Sequence, residues 1–332
     1  MSLRLFQYAT VTGQRAVAAI LDDAPPCRVP GVISVRELAL EAHRQGLGLE
    51  AHVRALSPVE TVDYAEIERQ GRLRIPLDHA EPSRMTLGIT GLTHLGSAAT
   101  RDEMHRKMTE SETLSDTMKM FRMGLDGGKP TEGDIGVQPE WAYKGDGLWC
   151  VAPGEDIQAP GFAMGEGEEA EVVGLYVIGD AGEVLRIGYC LGNEYSDHLM
   201  EQQNYLYLAH SKLRQSSFGP EILVGELPAE VRGTVRVIRD GDTAWEGEFL
   251  SGEDNMSHSL ANLEHHHFKY RGFRRPGDVH VYYYGASILS SATGIYAQDG
   301  DVIEIDCPLF GHPLRNRVRR GQPPQPLRVV AL

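Results

Sequence analysis

The sequence predicts a mostly β protein of the α+β class, with a small N-terminal α/β domain over residues 1–80 and a larger domain over residues 81–332. From Trp141 onward, short β-prone runs alternate with turns of glycine, proline and aspartate. Long helical patterns are confined to residues 35–55 and 101–122. The 332 residues, of which 41% are hydrophobic, suffice to bury a sizeable core.

The N-terminal domain is expected to contain two strands, a helix and a linker to the core, over residues 3–9, 15–21, 35–55 and 76–84. Ser34 is the expected helix N-cap, with Glu37 at the capping-box position three residues later. Gly46 and Gly48 are expected to break or bend this helix, because glycine weakens a helix interior.

The larger domain is expected to begin with a strand near Thr86, a lid-like segment and the helix over residues 101–122. His265 and His267 would share one face if their segment were extended, as two metal ligands would. The apolar and aromatic residues around the three consecutive histidines favour a packed, structural role instead.

A β-hairpin is predicted from two apolar runs, residues 172–178 and 184–191, which flank a glycine-rich turn. Glu169 and Glu171 lie at the start of the first run. Because they are two residues apart in an extended segment, their side chains share a face. The second run delivers Glu194 at its far end, so the hairpin can bring three carboxylates together.

These three carboxylates and the downstream Lys212 predict a divalent-metal site for an anionic ligand. Hard oxygen ligands favour Mg²⁺, with Mn²⁺ or Ca²⁺ as alternatives. On spacing alone, a solvated acidic loop is the commoner explanation of an isolated E-x-E sequence.

An ordered set of motifs resembles the fumarylacetoacetate hydrolase superfamily over roughly residues 85–320. The motifs are E-x-E at 169–171, G-N-E-x-S at 192–196, Lys212, P-G-D-V at 276–279 and L-R-N-x-V at 314–318. The resemblance implies a mixed β-roll core, a homodimer and a 2-keto acid substrate. The L-Y-L sequence at 206–208 before Lys212 is similar to the branch that acts on 2-keto-3-deoxy sugar acids of pentose breakdown.

The resemblance also assigns roles to individual residues. It implies that Glu169, Glu171 and Glu194 are metal ligands, although the third is usually aspartate. Lys212 would hold and polarise the substrate, assisted by Tyr207. Ser287 would replace a threonine that contacts the substrate carboxylate.

The lid histidine of the carbon-carbon hydrolases in this superfamily is replaced by Ser97. The candidates for the catalytic acid or base are His94, Glu103, His105 and His210.

Two enzymatic reactions and one non-catalytic binding function fit these residues. A cation that polarises the carbonyl of a 2-keto acid stabilises an enolate. The resemblance narrowly favours a hydrolase that cleaves the C3–C4 bond of a 2,4-diketo-3-deoxy sugar acid, such as 5-hydroxy-2,4-dioxopentanoate, through a metal-stabilised pyruvate enolate. The alternatives are a dehydratase of a 2-keto-3-deoxy sugar acid of the arabinonate type and a catalytically silent sugar-acid binding protein.

Composition excludes several other classes. The formal net charge of −15 at pH 7 argues against nucleic-acid binding, and it means that an anionic substrate needs local positive charge, from Lys212, Arg214 or a metal. The four cysteines are far apart and form no zinc or disulfide pattern. Without a signal sequence or a long apolar run, the chain is expected to be cytoplasmic and not membrane-bound.

Overall fold

The computed structural model describes residues 2–96 and 114–332. Its largest sheet is mixed and has eleven strands, the first of them near the N-terminus. The strands are β1 (Leu3–Ala9), β2 (Arg15–Leu21), β3 (Cys27–Arg28), β4 (Glu60–Thr61), β5 (Met85–Ile89), β6 (Ala142–Asp146), β7 (Cys150–Val151), β8 (Asp156–Ala159), β9 (Glu166–Gly167), β10 (Ala170–Ile178), β11 (Val184–Asn193), β12 (Ser196–Asp197), β13 (Ser216–Val224), β14 (Val231–Arg239), β15 (Asp242–Ser251), β16 (Val279–Tyr283), β17 (Val302–Asp306) and β18 (Leu314–Arg320). The large sheet has the order β4-β3-β2-β1-β13-β11-β10-β16-β5-β6, with β7 beside β13. The predicted mostly β, α+β class is confirmed.

A second sheet of five strands has the order β15-β14-β17-β18-β8. Its β8 runs parallel to β18, whereas the other pairs are antiparallel. Strands β9 and β12 form a separate two-stranded antiparallel ladder. In the chain, β9 comes just before β10 and β12 just after β11, so the ladder lies next to the acidic residues.

The described helices are short. They are α1 (Val35–Arg44), α2 (Leu49–Ala55), α3 (Tyr64–Arg69), α4 (Asp116–Gly127), α5 (His198–Gln203), α6 (Leu208–Lys212) and α7 (Leu260–Phe268). None of them is long and apolar enough to cross a membrane.

The helix expected over residues 35–55 is two helices, α1 and α2. Gly46 separates them with a φ of +68°, a conformation that glycine adopts without steric cost. Ser34 caps α1 as predicted, because its hydroxyl accepts a hydrogen bond from the backbone N–H of Glu37. The helix expected over 101–122 is described only from residue 116, as α4, and it continues to Gly127.

The three consecutive histidines lie in helix α7, so the extended arrangement considered for them is wrong. His267 is buried against the ring of Tyr282, whereas His265 is exposed. The predicted packed role is confirmed for His267, whose Nε2 lies 3.0 Å from Nδ1 of His280.

The centre of the large sheet is buried on both faces. Alternate residues of β10 pack into two different apolar clusters, Val172 and Tyr176 into one, and Val173 and Leu175 into the other. Truncating such a side chain, as in Leu175→Ala, would cost about 2–5 kcal/mol of stability. The strand that leads out of the acidic segment is therefore held rigidly.

The first 80 residues continue the large sheet, because β1 pairs antiparallel with β13. In addition, Nε of Arg4 lies 2.6 Å from a carboxylate oxygen of Glu221, which is fully buried in β13. The domain boundary near residue 80 stays a prediction, and the two units share one sheet across it.

Candidate active site

Three glutamates meet at one end of the β10–β11 hairpin. Glu171 lies in β10 opposite Gly192 of β11, and the N–H of Glu194 donates to the carbonyl of Glu169 at 3.0 Å. These two pairings bring one carboxylate oxygen of each glutamate within 4.8 Å of the others. The predicted hairpin is confirmed, and it brings the three side chains together.

All three carboxylates are buried, with relative exposures of 8% for Glu169, 1% for Glu171 and 0% for Glu194. Burial, reinforced by the neighbouring carboxylates, raises the pKa of Glu171 well above its usual value. Burial and Glu169 also raise the pKa of Glu194, against the effect of two lysines. The N–H of Gly285 donates to Oε2 of Glu171 at 2.7 Å, whereas Oε1 has no hydrogen-bond partner in the described chain.

This donor set fits a divalent cation of the Mg²⁺ type. Buried carboxylates this close repel one another, and a hard dication would both relieve the repulsion and use the unpartnered Oε1 of Glu171. Glu169 and Glu194 would supply the other oxygens.

Two lysines face the three carboxylates. Lys212, at the end of α6, donates to Glu169 and, at 2.7 Å, to Oε2 of Glu194. Burial opposes its charge, but the carboxylates outweigh burial and raise the pKa of Lys212. Lys144, on β6, is fully buried and lies 2.7 Å from Oε1 of Glu194.

A cleft of about 500 Å³ opens above Glu169 and Lys212. Its apolar lining includes Ala286 and Leu289. The other polar residues that line it are Glu140, His198, Glu201, Tyr205 and Ser291. A cleft of this size, with polar groups converging at one end, suits a small organic ligand.

Glu140 is the main functional candidate that sequence reasoning missed. It is 9% exposed, burial raises the pKa of its carboxyl, and the Tyr205 hydroxyl donates to it at 2.5 Å. A Cβ at Gly91 would lie 2.0 Å from Glu140 Oε2, so only glycine leaves room for this carboxylate. In the sequence, Glu140 stands between a proline and a tryptophan at the start of the β-rich region. This arrangement matches no known motif, so it did not indicate a functional residue.

His198 and Glu201 of α5 were also missed, although they follow the G-N-E-x-S motif directly. His198 Nδ1 lies 3.9 Å from Glu169 Oε1, and burial, with the charge of Lys212, lowers its pKa to about 4. Burial raises the pKa of Glu201 to about 7. The side chain of Asp197 caps α5 by accepting from the N–H of Met200, which fixes both residues over the cleft.

Other predicted residues lie away from the cleft. His94 is buried, with Nε2 2.9 Å from the hydroxyl of Ser251, and burial lowers its pKa to about 4. Tyr207 lines a separate surface groove with Trp149. The hydroxyl of Ser287 accepts from the N–H of Leu250 at 3.0 Å. Their predicted catalytic and substrate-binding roles stay predictions.

Glu103, His105 and Ser97 lie outside the described residues. Arg214, considered as a charge for binding anions, is 2% exposed and pairs with Glu166 and Asp197 at 2.7 and 2.8 Å. It is therefore a structural residue, and Lys212 remains as the cation that reaches the described part of the cleft.

Comparison with known proteins is informative at the level of structure. No protein-family model and no curated protein matches the sequence. A 2-keto-3-deoxy-D-arabinonate dehydratase complexed with magnesium and 2,5-dioxopentanoate superposes with a TM-score of 0.70 and 19% identity, covering 96% of this chain and 99% of the dehydratase.

Two isomerases are also similar in structure. The 5-carboxymethyl-2-hydroxymuconate delta-isomerase from Mycobacterium smegmatis is 17% identical, with a TM-score of 0.57 over 96% of this chain and all (100%) of the isomerase. The 2-hydroxyhepta-2,4-diene-1,7-dioate isomerase from Mycobacterium marinum is 17% identical, with a TM-score of 0.54 over 96% of this chain and 98% of the isomerase. The chain thus shares the fold of this dehydratase and of these isomerases, and the sequence resemblance described above predicts a fold of the fumarylacetoacetate hydrolase type.

Proposed function

We propose that this protein is a divalent-metal-dependent dehydratase of a 2-keto-3-deoxy sugar acid. The observation that carries the proposal is the convergence of three buried glutamates beside Lys212, with Glu169 and Lys212 lining a cleft. The similarity to a dehydratase that holds magnesium and 2,5-dioxopentanoate supports this choice of reaction and of substrate class.

We propose Glu169, Glu171 and Glu194 as the ligands of Mg²⁺, or of Mn²⁺. A cation held there would supply Lewis-acid polarisation of the carbonyl of a 2-keto acid. Lys212 contributes the positive charge that the substrate carboxylate needs in an otherwise acidic cleft. Its two bonds to Glu169 and Glu194 fix its position before any ligand enters.

Glu140 is the proposed base that removes a proton from C3. Its raised pKa brings its basicity closer to neutral pH, which favours proton transfer from a weak carbon acid. The Tyr205 hydroxyl orients the carboxylate from the cleft side. Glu140 is thus preferred to His94, which does not line the described cleft.

Glu201 is the proposed acid for the leaving group, because a carboxyl with a pKa of about 7 retains a proton near neutral pH. The proton leaves C3 to Glu140, and the C4 hydroxyl leaves with the proton of Glu201 as water. The resulting unsaturated 2-keto acid then isomerises by moving a hydrogen from C5 to C3, which gives a C4–C5 enol. The enol becomes the C5 aldehyde when its O–H proton is lost and C4 gains a proton. The overall change is the loss of one water molecule.

The hydrolase that the sequence narrowly favoured is not supported by a specific contact in the described cleft, so the dehydratase is placed first. A silent binding protein would need neither a base nor an acid, yet Glu140 and Glu201 line the same cleft as Lys212. Assembly as a homodimer remains a proposal, which light scattering of the purified protein would measure.

Turnover of 2-keto-3-deoxy-D-arabinonate tests the proposal. Protein stripped with EDTA and reloaded with Mg²⁺ is expected to form 2,5-dioxopentanoate. A coupled aldehyde dehydrogenase measures this product. A parallel reaction with 5-hydroxy-2,4-dioxopentanoate measures pyruvate. Pyruvate without the aldehyde would establish the hydrolase, whereas binding of either acid without turnover would establish the silent protein.

The Glu140→Gln variant tests the base within the same assay. Loss of general-base catalysis is expected to lower kcat by about 10²–10⁴-fold. Glu132→Gln is the matched control, because Glu132 is exposed in the same connecting segment, and it should retain wild-type activity. Full activity in Glu140→Gln would exclude Glu140 as the base.

A further inference from the structure

Lys144 is a buried lysine that does not reach the cleft. Its side chain is 0% exposed, and its three hydrogen-bond acceptors all belong to residues 194 and 195. They are the backbone carbonyl of Glu194 at 2.9 Å, the carbonyl of Tyr195 at 2.5 Å and Oε1 of Glu194 at 2.7 Å. An ammonium group has three N–H donors, so these acceptors use all of them.

Lys144 lies at a β-bulge of β6. In the pairing of β5 with β6, Leu87 faces Gly145 and Gly88 faces Tyr143, which leaves Lys144 as the extra residue. Ala142 and Lys144 are buried whereas Tyr143 between them is exposed, as the alternation of a strand expects. Gly145, with a φ of +134°, supplies the backbone conformation that the irregularity needs.

Glu194 is consequently held at both carboxylate oxygens. Lys144 and the hydroxyl of Ser196, at 3.1 Å, contact Oε1, and Lys212 contacts Oε2. Glutamate has one more rotatable bond than aspartate, so a buried glutamate loses more conformational freedom when it is fixed in one position. The contacts from Lys144 to the carboxylate and to the two adjacent carbonyls fix both ends of this side chain.

We propose that Lys144 is a positioning residue that holds Glu194 in the arrangement needed to bind the divalent cation. This inference rests on the proposed function, in which Glu194 is a metal ligand. A buried ion pair gives little net stability compared with apolar residues of the same size, so stability alone is a weak reason for a lysine here. Lys144 acts through Glu194 and contacts neither Glu169 nor Glu171 in the described structure.

The test is the affinity of the metal-free protein for Mg²⁺, measured by calorimetric titration without substrate. Lys144→Met keeps an unbranched side chain that is one heavy atom shorter, and it removes the three donors. We expect its dissociation constant for Mg²⁺ to rise at least tenfold. Ser196→Ala removes the other bond to the same carboxylate oxygen and is expected to raise the constant about threefold. Both effects should appear in KM for substrate at limiting Mg²⁺.

Asp301→Asn is the matched control for a merely structural effect. Asp301 is a carboxylate of 1% exposure that pairs at 2.8 Å with Arg239 of the second sheet, and neither residue lines the cleft. This variant is expected to lower the thermal unfolding temperature and to leave Mg²⁺ affinity unchanged.

A folded Lys144→Met protein that binds Mg²⁺ within twofold of wild type would overturn the inference. If that variant does not fold, Ser196→Ala decides, and unchanged affinity there overturns it equally. Glu171→Gln separates this failure from failure of the proposed function. If Glu171→Gln abolishes Mg²⁺ binding while Lys144→Met does not alter it, only the inference fails. If Glu171→Gln also binds normally, the metal site itself is misplaced and both fail.

Discussion

Two buried charged clusters lie side by side in this protein and differ in how fully their oxygens are bonded. The first contains Glu169, Glu171 and Glu194 with Lys144 and Lys212. The second contains Arg214 with Glu166 and Asp197. Apart from Lys144, both are built from the same three stretches of chain, residues 165–171, 193–197 and 212–214.

The second cluster satisfies its carboxylates within the protein. Both oxygens of Asp197 accept backbone N–H bonds, from Met164 and Gly165, and one also accepts from Arg214. Burial opposes the charge of Asp197, yet these bonds lower its pKa. The pKa of Glu166 is raised to about 7, mainly by burial, although Arg214 donates to it.

In the first cluster, by contrast, three carboxylates share two lysines, and Glu171 keeps an oxygen without a partner in the described chain. The comparison teaches that burial of charge does not by itself identify a functional site. Incomplete bonding of like charges does, because such a cluster is stabilised by a ligand of opposite charge.

The largest expected effect is that of Glu171→Gln, which should lower turnover by about 10³-fold or more, since metal activation contributes several kcal/mol. Stability at pH 7 should not fall, because the substitution removes a carboxylate whose charged form is disfavoured. Activity assays and urea unfolding of the metal-free protein measure the two quantities.

Glu168→Gln provides the contrast, because both oxygens of Glu168 accept from Ser290. This variant should lose about 1–3 kcal/mol of stability, because the amide NH₂ of the glutamine would face one of the two donors of Ser290. If Glu171→Gln proved the less stable of the two, the distinction between bonded and unbonded carboxylates would be wrong.

Arg214→Met should give the largest loss of stability, about 3–5 kcal/mol, because it leaves two buried carboxylates without their cation. Equilibrium unfolding in urea measures this loss. Arg319→Met is the control, since Arg319 and Asp156 form an exposed pair at 3.2 Å and should contribute less than about 1 kcal/mol. Equal effects from both substitutions would mean that the buried cluster is not structural.

The pH dependence of stability should have opposite signs for two variants of the metal-free protein. The pKa of His94 is lowered to about 4 by burial, so the wild-type fold loses stability as pH falls from about 6.5 to 4. Relative to wild type, His94→Gln should therefore gain up to about 1.4 kcal/mol per pH unit in this window.

Relative to wild type, Glu171→Gln should instead lose stability as pH falls towards about 4.5, because the raised pKa of Glu171 lets the wild-type folded state gain stability by protonation. Unfolding midpoints in urea at several pH values measure both differences. Slopes of the same sign would show that Glu171 is not a disfavoured charge.

The smallest expected effect is that of Tyr205→Phe. Loss of one hydrogen bond to Glu140 is worth about 0.5–1.5 kcal/mol, so kcat should fall about 3- to 10-fold. Because the Tyr205 bond lowers the pKa of Glu140, the rising limb of the kcat profile should move to higher pH. Tyr207→Phe tests the residue that the sequence placed at the substrate, and a larger effect there would restore that assignment.

Local chemistry made much of the fold predictable. Strands β1 and β2 have the predicted bounds, and the hairpin of β10 and β11 follows from two apolar runs joined by a turn of glycine and aspartate. The hairpin also explains why Glu169, Glu171 and Glu194 could be grouped from sequence. Their proximity depends on one local turn, which sequence patterns report well.

The missing site residues depend on contacts that are distant along the chain. Glu140 and Lys144 reach the site from β6 and the segment before it, and the pairing of β6 with β5 that places them there is not reported by any local sequence pattern. Tyr205 and Tyr207 occupy one turn of 3-10 helix, so residues two apart point in different directions. Extended spacing cannot decide which of them faces the cleft.

The pairing of β1 with β13 has a consequence for shortened forms of the protein. Removing residues 1–80 would uncover the hydrogen-bonding edge of β13, whose neighbour β11 forms the hairpin with β10 that carries the three glutamates. An uncovered, apolar edge strand pairs readily with other chains, so such a protein would aggregate. The N-terminal unit thus protects the β13 edge of the large sheet from pairing with other chains, and both units need to be expressed together.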